Sequence, residues 1–101
     1  MRTLRILPEA EEELAEAAVW YESKRAGLGV EMIAIVDRAF EELLSAPLVC
    51  AAWRSDRTYR RKVLARFPYV VFYRVTDEIV EIMAVANARQ RPGYWLERVV
   101  R

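Results

Sequence analysis

Two spacings of apolar residues divide the chain into a helical half and a sheet-forming half. Up to residue 45 they recur at intervals of three and four in two stretches, separated by the glycines of "RAGLG" at 25–29, which predicts an antiparallel helical hairpin. After residue 57 apolar and polar residues alternate, as they do in strands. The predicted elements are, in chain order, a strand at 2–7, helices at 8–24 and 29–45, and strands at 58–66, 68–76 and 79–86.

Short turns separate the last three strands, so we expect them to form an antiparallel meander. The predicted fold class is α+β: an N-terminal strand, an antiparallel helical hairpin and a three-stranded antiparallel meander, with both helices on one face of a single antiparallel sheet. A chain of 101 residues supports one domain over 1–101. We expect a loop at 46–57. At 92–99 we expect a short helix or a segment that covers a sheet edge, with Trp95 in a structural role.

Strand alternation also predicts which side chains face away from the helices. Arg74 and Glu81 are charged, so we assign their faces to the outside of the sheet. The same face then carries an apolar patch, and a patch of this kind is usually occupied by a partner or by a covering segment. The residues predicted for this patch, and for binding a partner protein, are Val70, Phe72, Met83 and Val85.

A cationic surface is predicted beside the apolar patch. The net charge is only +1, but acidic residues are concentrated in the first half of the chain and basic residues in the second. Arginines near aromatic side chains suit phosphate binding and base stacking, and they suit an acidic protein partner equally well. Solvated charges on an exposed sheet would give the same pattern. The residues predicted to bind a target are Arg60, Lys62, Arg66, Arg74, Arg89 and Arg91.

Composition excludes several kinds of chemistry. The chain has no histidine, and Cys50 is its single cysteine, which excludes Ser-His and Cys-His nucleophiles, an internal disulfide and a multi-cysteine zinc site. We expect neither a metal nor a cofactor. No apolar run approaches the ~20 residues of a membrane span, and the first residues lack the apolar core of a signal peptide. We therefore expect a cytoplasmic protein that does not cross a membrane.

Four stretches, at 7–29, 40–47, 60–75 and 81–95, resemble the RelE/ParE superfamily of toxins from bacterial type II toxin–antitoxin systems. The most specific parts are "FPYVVFYRV" and "AVANARQRPGYW", which are similar to the ParE-like, plasmid-stabilisation branch. The resemblance implies the same α+β fold and a role in the bacterial stress response. It also implies a hetero-oligomer with a cognate antitoxin, which lays an extended or helical segment across the toxin.

Two activities divide this superfamily, and the resemblance leaves both open. ParE-like members poison DNA gyrase and require no catalytic residue, whereas RelE-like members are enzymes that cleave mRNA on the ribosome. Val70 stands where the nuclease pattern has an arginine, and Asn87 stands where members of both branches often have a histidine. We therefore favour a gyrase inhibitor over an mRNA endonuclease, and over a toxin-fold module that only binds antitoxin. The residues that would serve a nuclease are Arg61, Arg66, Arg89 and Tyr94.

Overall fold

The structure, a computed structural model, describes residues 1–53 and 58–100. Its first half is the predicted helical hairpin. Helix α1 (Pro8–Lys24) has the predicted bounds and starts with a proline, whose missing N–H is not needed in a first turn. Helix α2 (Leu28–Ser45) starts one residue before its predicted start. Of the predicted loop at 46–57, residues 54–57 lie outside the described residues.

The two helices approach each other closely at their junction. A Cβ atom at Gly29 would lie 2.3 Å from the carbonyl oxygen of Ala18, so the packing there requires glycine. The carboxylate of Glu22 accepts hydrogen bonds from the N–H groups of Gly27 at 2.7 Å and Gly29 at 2.9 Å. It thus provides acceptors for two backbone N–H groups at the start of α2, which have no partner within the helix. The hydrogen bond from Gly27 is the main cause that lowers the pKa of the Glu22 carboxyl.

The four strands form one mixed sheet in the order β1-β4-β3-β2. The last three strands make the predicted antiparallel meander. The prediction of an entirely antiparallel sheet is wrong at one edge, because β1 pairs parallel with β4. Alternation within a strand indicates its faces, but it does not identify the strand with which it pairs. The strands are β1 (Thr3–Ile6), β2 (Tyr59–Val63), β3 (Tyr69–Val75) and β4 (Ile79–Asn87).

Apolar side chains fill both faces of the sheet. The helices cover one face, as predicted. A C-terminal 3-10 helix (Tyr94–Val100), near the predicted segment at 92–99, covers part of the other, outer face. The buried residues of the helix side are Ala10, Ala17, Met32, Val36, Ala39, Phe40, Leu43, Leu64, Phe67, Val71, Tyr73, Val80, Ile82 and Val85. Those of the outer side are Tyr59, Phe72, Met83, Ala84, Ala86 and Trp95.

A β-bulge in β4 changes the face of its later residues. The pairing of β3 with β4 shifts register between Phe72 and Tyr73, and Met83 is the extra residue of β4. Val85 therefore packs into the helix-side core, so its predicted place in the outer patch is wrong. Val70, Phe72 and Met83 lie on the outer side, as predicted. Alternation assumes an uninterrupted strand and misplaces residues beyond a bulge.

Candidate functional site

The C-terminal segment builds an aromatic cluster on the outer face of the sheet. Trp95 is 0% exposed, and its ring centroid lies 5.0 Å from that of Phe72 and 4.9 Å from that of Tyr59. Trp53 lies 5.1 Å from Trp95 on the same measure. Among the described residues, the indole N–H of Trp95 has no hydrogen-bond acceptor, so apolar packing holds this side chain. The chain thus covers much of its own apolar patch, and Trp95 has the predicted structural role.

Three polar side chains tie the C-terminal segment to α1 and β4. Glu13 of α1 accepts a hydrogen bond from the backbone N–H of Val85 at 3.0 Å. Arg98 donates two hydrogen bonds to the Glu13 carboxylate, each at 3.0 Å, and one to the carbonyl oxygen of Met83 at 2.9 Å. The hydroxyl of Tyr94 donates to the same carboxylate. We call Glu13, Tyr94 and Arg98 the Glu13 clasp.

The environment of Tyr94 favours its protonated form. Burial is the main cause that raises the pKa of the phenol above its ordinary value, and the hydrogen bond to Glu13 is the second. At neutral pH the hydroxyl is therefore a hydrogen-bond donor that is engaged with Glu13. A nuclease would require this hydroxyl to exchange a proton with RNA, whereas in this structure its proton is directed to Glu13.

An exposed loop carrying two arginines connects β4 to the clasp. We call residues 88–93 the arginine loop. At its start, the side-chain oxygen of Asn87 accepts a hydrogen bond from the N–H of Arg89 at 2.9 Å, and the N–H of Ala88 donates to the carbonyl of Pro68 at 2.8 Å. Arg89 and Arg91 are exposed, and no residue that the structure describes pairs with either guanidinium group. These hydrogen bonds hold the backbone at the start of the arginine loop, while the charges of both arginines remain accessible.

Two of the predicted target-binding cations lie on the opposite side of the sheet from their predicted place. Arg60 donates to the carbonyl oxygen of Cys50 at 2.7 Å, and Lys62 pairs with Glu42 of α2 at 3.3 Å. Their outer placement is wrong because Tyr59 occupies the outward position at the start of β2, where its ring packs in the aromatic cluster. Alternation then turns Arg60 and Lys62 toward the helices.

The other two strand-associated cations are engaged in ion pairs. Arg66 follows β2 and pairs with Glu31 of α2 at 3.0 Å, so its predicted outer placement is also wrong. Arg74 lies on the outer face as predicted, but its guanidinium binds the buried carboxylate of Glu81 at 2.6 Å. Of the six predicted target-binding residues, only Arg89 and Arg91 are thus exposed together without a described ionic partner.

The four nuclease candidates do not form one site. Arg61 is on the outer face of β2, and Arg66 is on the helix side. Tyr94 is bound to α1 beside β4, which is two strands from β2, or roughly 10 Å at the usual strand spacing. Arg89 lies in the arginine loop and lines one groove together with Tyr94, but neither Arg61 nor Arg66 lines that groove. The geometry therefore lacks the converging donors that stabilise charge on a phosphate during cleavage.

A second exposed surface lies on α1. Val19 is 72% exposed and Trp20 is 55% exposed. Trp20 also borders an open groove of about 850 Å³ that extends from α1 to the arginine loop, and its lining includes Tyr21, Tyr69 and Arg89. We call Val19 and Trp20 the α1 surface. Large exposed apolar side chains that adjoin a groove are suited to protein binding.

Trp20, Glu13 and Arg98 were not predicted from the sequence as residues of the site. Trp20 has a local signal, since a tryptophan beside the apolar stripe of a helix is unusual on a solvated surface. Glu13 has none, because it is one of several glutamates in the first turns of α1. Arg98 has none either, because its partner lies 85 positions away.

Fold and site together define a small α+β domain with exposed cationic and apolar surfaces. Within residues 1–53 and 58–100, no group of three or more His, Cys, Asp or Glu side chains could hold a metal ion. In the same part of the chain, no helix combines the length and apolarity needed to cross a membrane. Two accessible surfaces, the α1 surface and the arginine loop, are suited to macromolecular partners.

Comparison with known proteins identifies the family. Residues 4–92 match the family described as "ParE toxin of type II toxin-antitoxin system, parDE", and the chain therefore belongs to this family. The predicted resemblance to ParE-like toxins is confirmed. No curated protein matches the sequence significantly.

A solved structure supports the fold. The chain is similar to a structure titled "Chromosomal ParDE TA system from P. aeruginosa", with a TM-score of 0.65 and 16% sequence identity. The similarity covers 86% of this chain and 96% of that chain. At this identity it shows the fold alone, and it confirms the predicted α+β class.

Proposed function

We propose that this ParE-family toxin inhibits DNA gyrase by binding it through the arginine loop. The observation that carries this proposal is the pair of exposed guanidinium groups, Arg89 and Arg91, on a loop anchored at both ends. Guanidinium groups bind carboxylates and phosphates through charge-assisted hydrogen bonds, and an ordered loop loses little conformational entropy on binding. A gyrase–DNA complex presents both kinds of anion.

Inhibition by binding agrees better with the geometry than cleavage of mRNA. The cations that a nuclease would use are dispersed, and the phenol of Tyr94 is engaged with Glu13. Val70, at the position where the nuclease pattern has an arginine, packs against the outer aromatic cluster. A protein that acts by binding needs no catalytic residue, so this arrangement is sufficient for it.

The same proposal includes a cognate antitoxin that covers the α1 surface. The exposed side chains of Val19 and Trp20 offer apolar area to an amphipathic or extended segment. The groove beside Trp20 leads to Arg89, so a segment laid along it would also reach the arginine loop. Such a segment would exclude gyrase while bound. The complex would be a toxin–antitoxin hetero-oligomer in the cytoplasm, where gyrase acts.

Purified protein tests the gyrase proposal directly. We expect the toxin to inhibit ATP-dependent supercoiling of relaxed plasmid and to accumulate covalent gyrase–DNA complexes. Arg89→Glu and Arg91→Glu should each raise the inhibitory concentration about tenfold or more, because each reverses a charge that meets anions on the target.

Arg38→Glu is the matched control, since Arg38 is an exposed arginine on α2. This variant should inhibit like the original protein. Unchanged supercoiling in a large molar excess of toxin would show that gyrase is not the target. Equal effects of all three substitutions would show that the arginine loop is not the contact.

A further inference from the structure

We infer that the Glu13 clasp positions the arginine loop for its target. This inference rests on the proposed function and assigns its residues a separate role. Glu13, Tyr94 and Arg98 act as positioning residues, because the target contacts that they govern are made by Arg89 and Arg91.

The clasp replaces a missing strand at the edge of β4. Strand β1 pairs with β4 only as far as Ile82. Beyond that point, the N–H of Val85 and the carbonyl of Met83 bond to the side chains of Glu13 and Arg98. An unpaired backbone group in a partly buried position is costly. The clasp is therefore favourable because it gives these two backbone groups hydrogen-bond partners. The same bonds join α1, β4 and the C-terminal segment.

The arginine loop lies between two anchors of different kinds. Its first anchor lies at the end of β4. There the N–H of Asn87 donates to the side-chain oxygen of Gln90 at 2.9 Å, and the N–H of Gln90 donates to the backbone carbonyl of Asn87 at 3.0 Å. Its second anchor is the clasp, which reaches across the sequence from Tyr94 and Arg98 to α1. Releasing one end of a short loop restores backbone freedom, and a target would then have to order the loop on binding. Loss of the clasp should therefore weaken the target complex.

Burial of Trp95 does not replace the clasp. Its indole N–H has no described acceptor, so Trp95 contributes packing against aromatic rings but no directed hydrogen bond. The carboxylate of Glu13, by contrast, receives directed hydrogen bonds from Tyr94 and from both terminal nitrogens of Arg98. A bidentate arginine–carboxylate pair fixes direction as well as distance. The clasp therefore adds directed contacts to the packing of Trp95, and we infer that these contacts fix the orientation of the loop before it.

Two conservative variants test this inference without emptying the core. Glu13→Gln keeps the length of the side chain and removes its charge. Tyr94→Phe keeps the ring and removes the hydroxyl, and it remains informative if Glu13→Gln folds poorly. Glu12→Gln is the matched control, because Glu12 is an exposed neighbour on the same helix.

Amide hydrogen exchange and 19F NMR of 5-fluorotryptophan protein measure loop order without any target. In Glu13→Gln and Tyr94→Phe, we expect exchange at residues 88–98 to accelerate about tenfold or more, while amides of α2 keep their rates. The 19F resonance of Trp95 should broaden or shift. The resonance of Trp20, which the Trp20→Phe variant assigns, should stay unchanged. A clasp with only a general stabilising role would accelerate exchange throughout the chain instead.

Inhibition of gyrase completes the test. The inhibitory concentration should rise about tenfold for Glu13→Gln and less for Tyr94→Phe, in the same order as exchange at 88–98. Glu12→Gln should match the original protein in every measurement. Unchanged exchange and fluorine spectra in both clasp variants would overturn the inference.

A mobile loop with undiminished inhibition would also overturn it, even where Arg89→Glu abolishes inhibition and the proposed function holds. If the proposed function is wrong, the result is different, because the unsubstituted protein itself would not inhibit gyrase. The exchange and fluorine measurements would then still decide whether the clasp orders the loop.

Discussion

Two tryptophans in this chain have opposite environments and, on that basis, opposite roles. Trp95 is 0% exposed and is surrounded by aromatic rings, whereas Trp20 is 55% exposed on α1. Burying a large aromatic side chain is a major contribution to the stability of a small domain. An exposed one contributes little to folding and offers area to a partner. Trp95 therefore stabilises the fold, and Trp20 is available for the antitoxin.

Truncating each tryptophan should separate stability from binding. Trp95→Ala should lower the free energy of unfolding by about 3–5 kcal/mol, because it leaves a cavity in the aromatic cluster. Trp20→Ala should change that free energy by less than about 0.5 kcal/mol, but weaken antitoxin binding about tenfold or more. Urea denaturation and titration with the antitoxin measure the two effects. Antitoxin affinity that is insensitive to Trp20→Ala would remove the α1 surface from the proposal.

At the scale of elements, the hairpin junction shows two different requirements for glycine. Gly27 has a φ of +90°, which favours glycine, although nothing lies within 4 Å of a Cβ atom built there. Gly29 is needed for space, since a Cβ atom would lie 2.3 Å from the backbone oxygen of Ala18. A backbone atom cannot move aside as a flexible side chain can. The α1–α2 packing therefore depends more strongly on Gly29.

Alanine substitutions at this junction should differ in size. Gly29→Ala should destabilise the protein by about 1–3 kcal/mol, because the helices must separate. Gly27→Ala should cost about 1 kcal/mol through backbone strain alone. Ala26→Ser, at an exposed position beside them, is the control, and thermal unfolding ranks the three. If Gly29→Ala unfolds at the same temperature as Ala26→Ser, the junction is not closely packed.

The helices could be predicted from the sequence because their signals are local. Pro8 marks the start of α1, and the glycines that follow Arg25 mark its end. The sheet was predicted less completely, because β1 pairs with a strand more than 70 residues away and Met83 interrupts the alternation of β4. Both features result from contacts between distant residues, and no short stretch of sequence contains them.

At the scale of the whole molecule, both faces of the sheet are occupied by the chain itself. The helices cover one face, and the C-terminal segment covers the aromatic cluster of the outer one. The two proposed binding surfaces, on α1 and in the arginine loop, lie outside both buried clusters. This arrangement allows a partner on α1 to block the loop without rearranging the core.

The candidate site could be predicted only where all of its residues belong to one continuous stretch of sequence. Arg89 and Arg91 were identified because they follow the last predicted strand, beside a surface predicted to be basic. Arg60 and Lys62 were misplaced because Tyr59 sets the alternation of β2 through packing against Trp95. The clasp was not foreseen because Glu13 and Arg98 meet only after folding. Predictions of this kind fail where a side chain's role depends on tertiary contacts.

We propose that this toxin acts by binding gyrase and not by cutting RNA. The most direct measurement is to induce the chain in a bacterial culture and, in the same samples, quantify covalent gyrase–DNA complexes and map transcript ends within minutes of induction. A gyrase-binding toxin should trap gyrase on DNA while transcripts remain intact, and Arg89→Glu should abolish the trapping. Transcripts cut within minutes, without trapped gyrase, would contradict the claim.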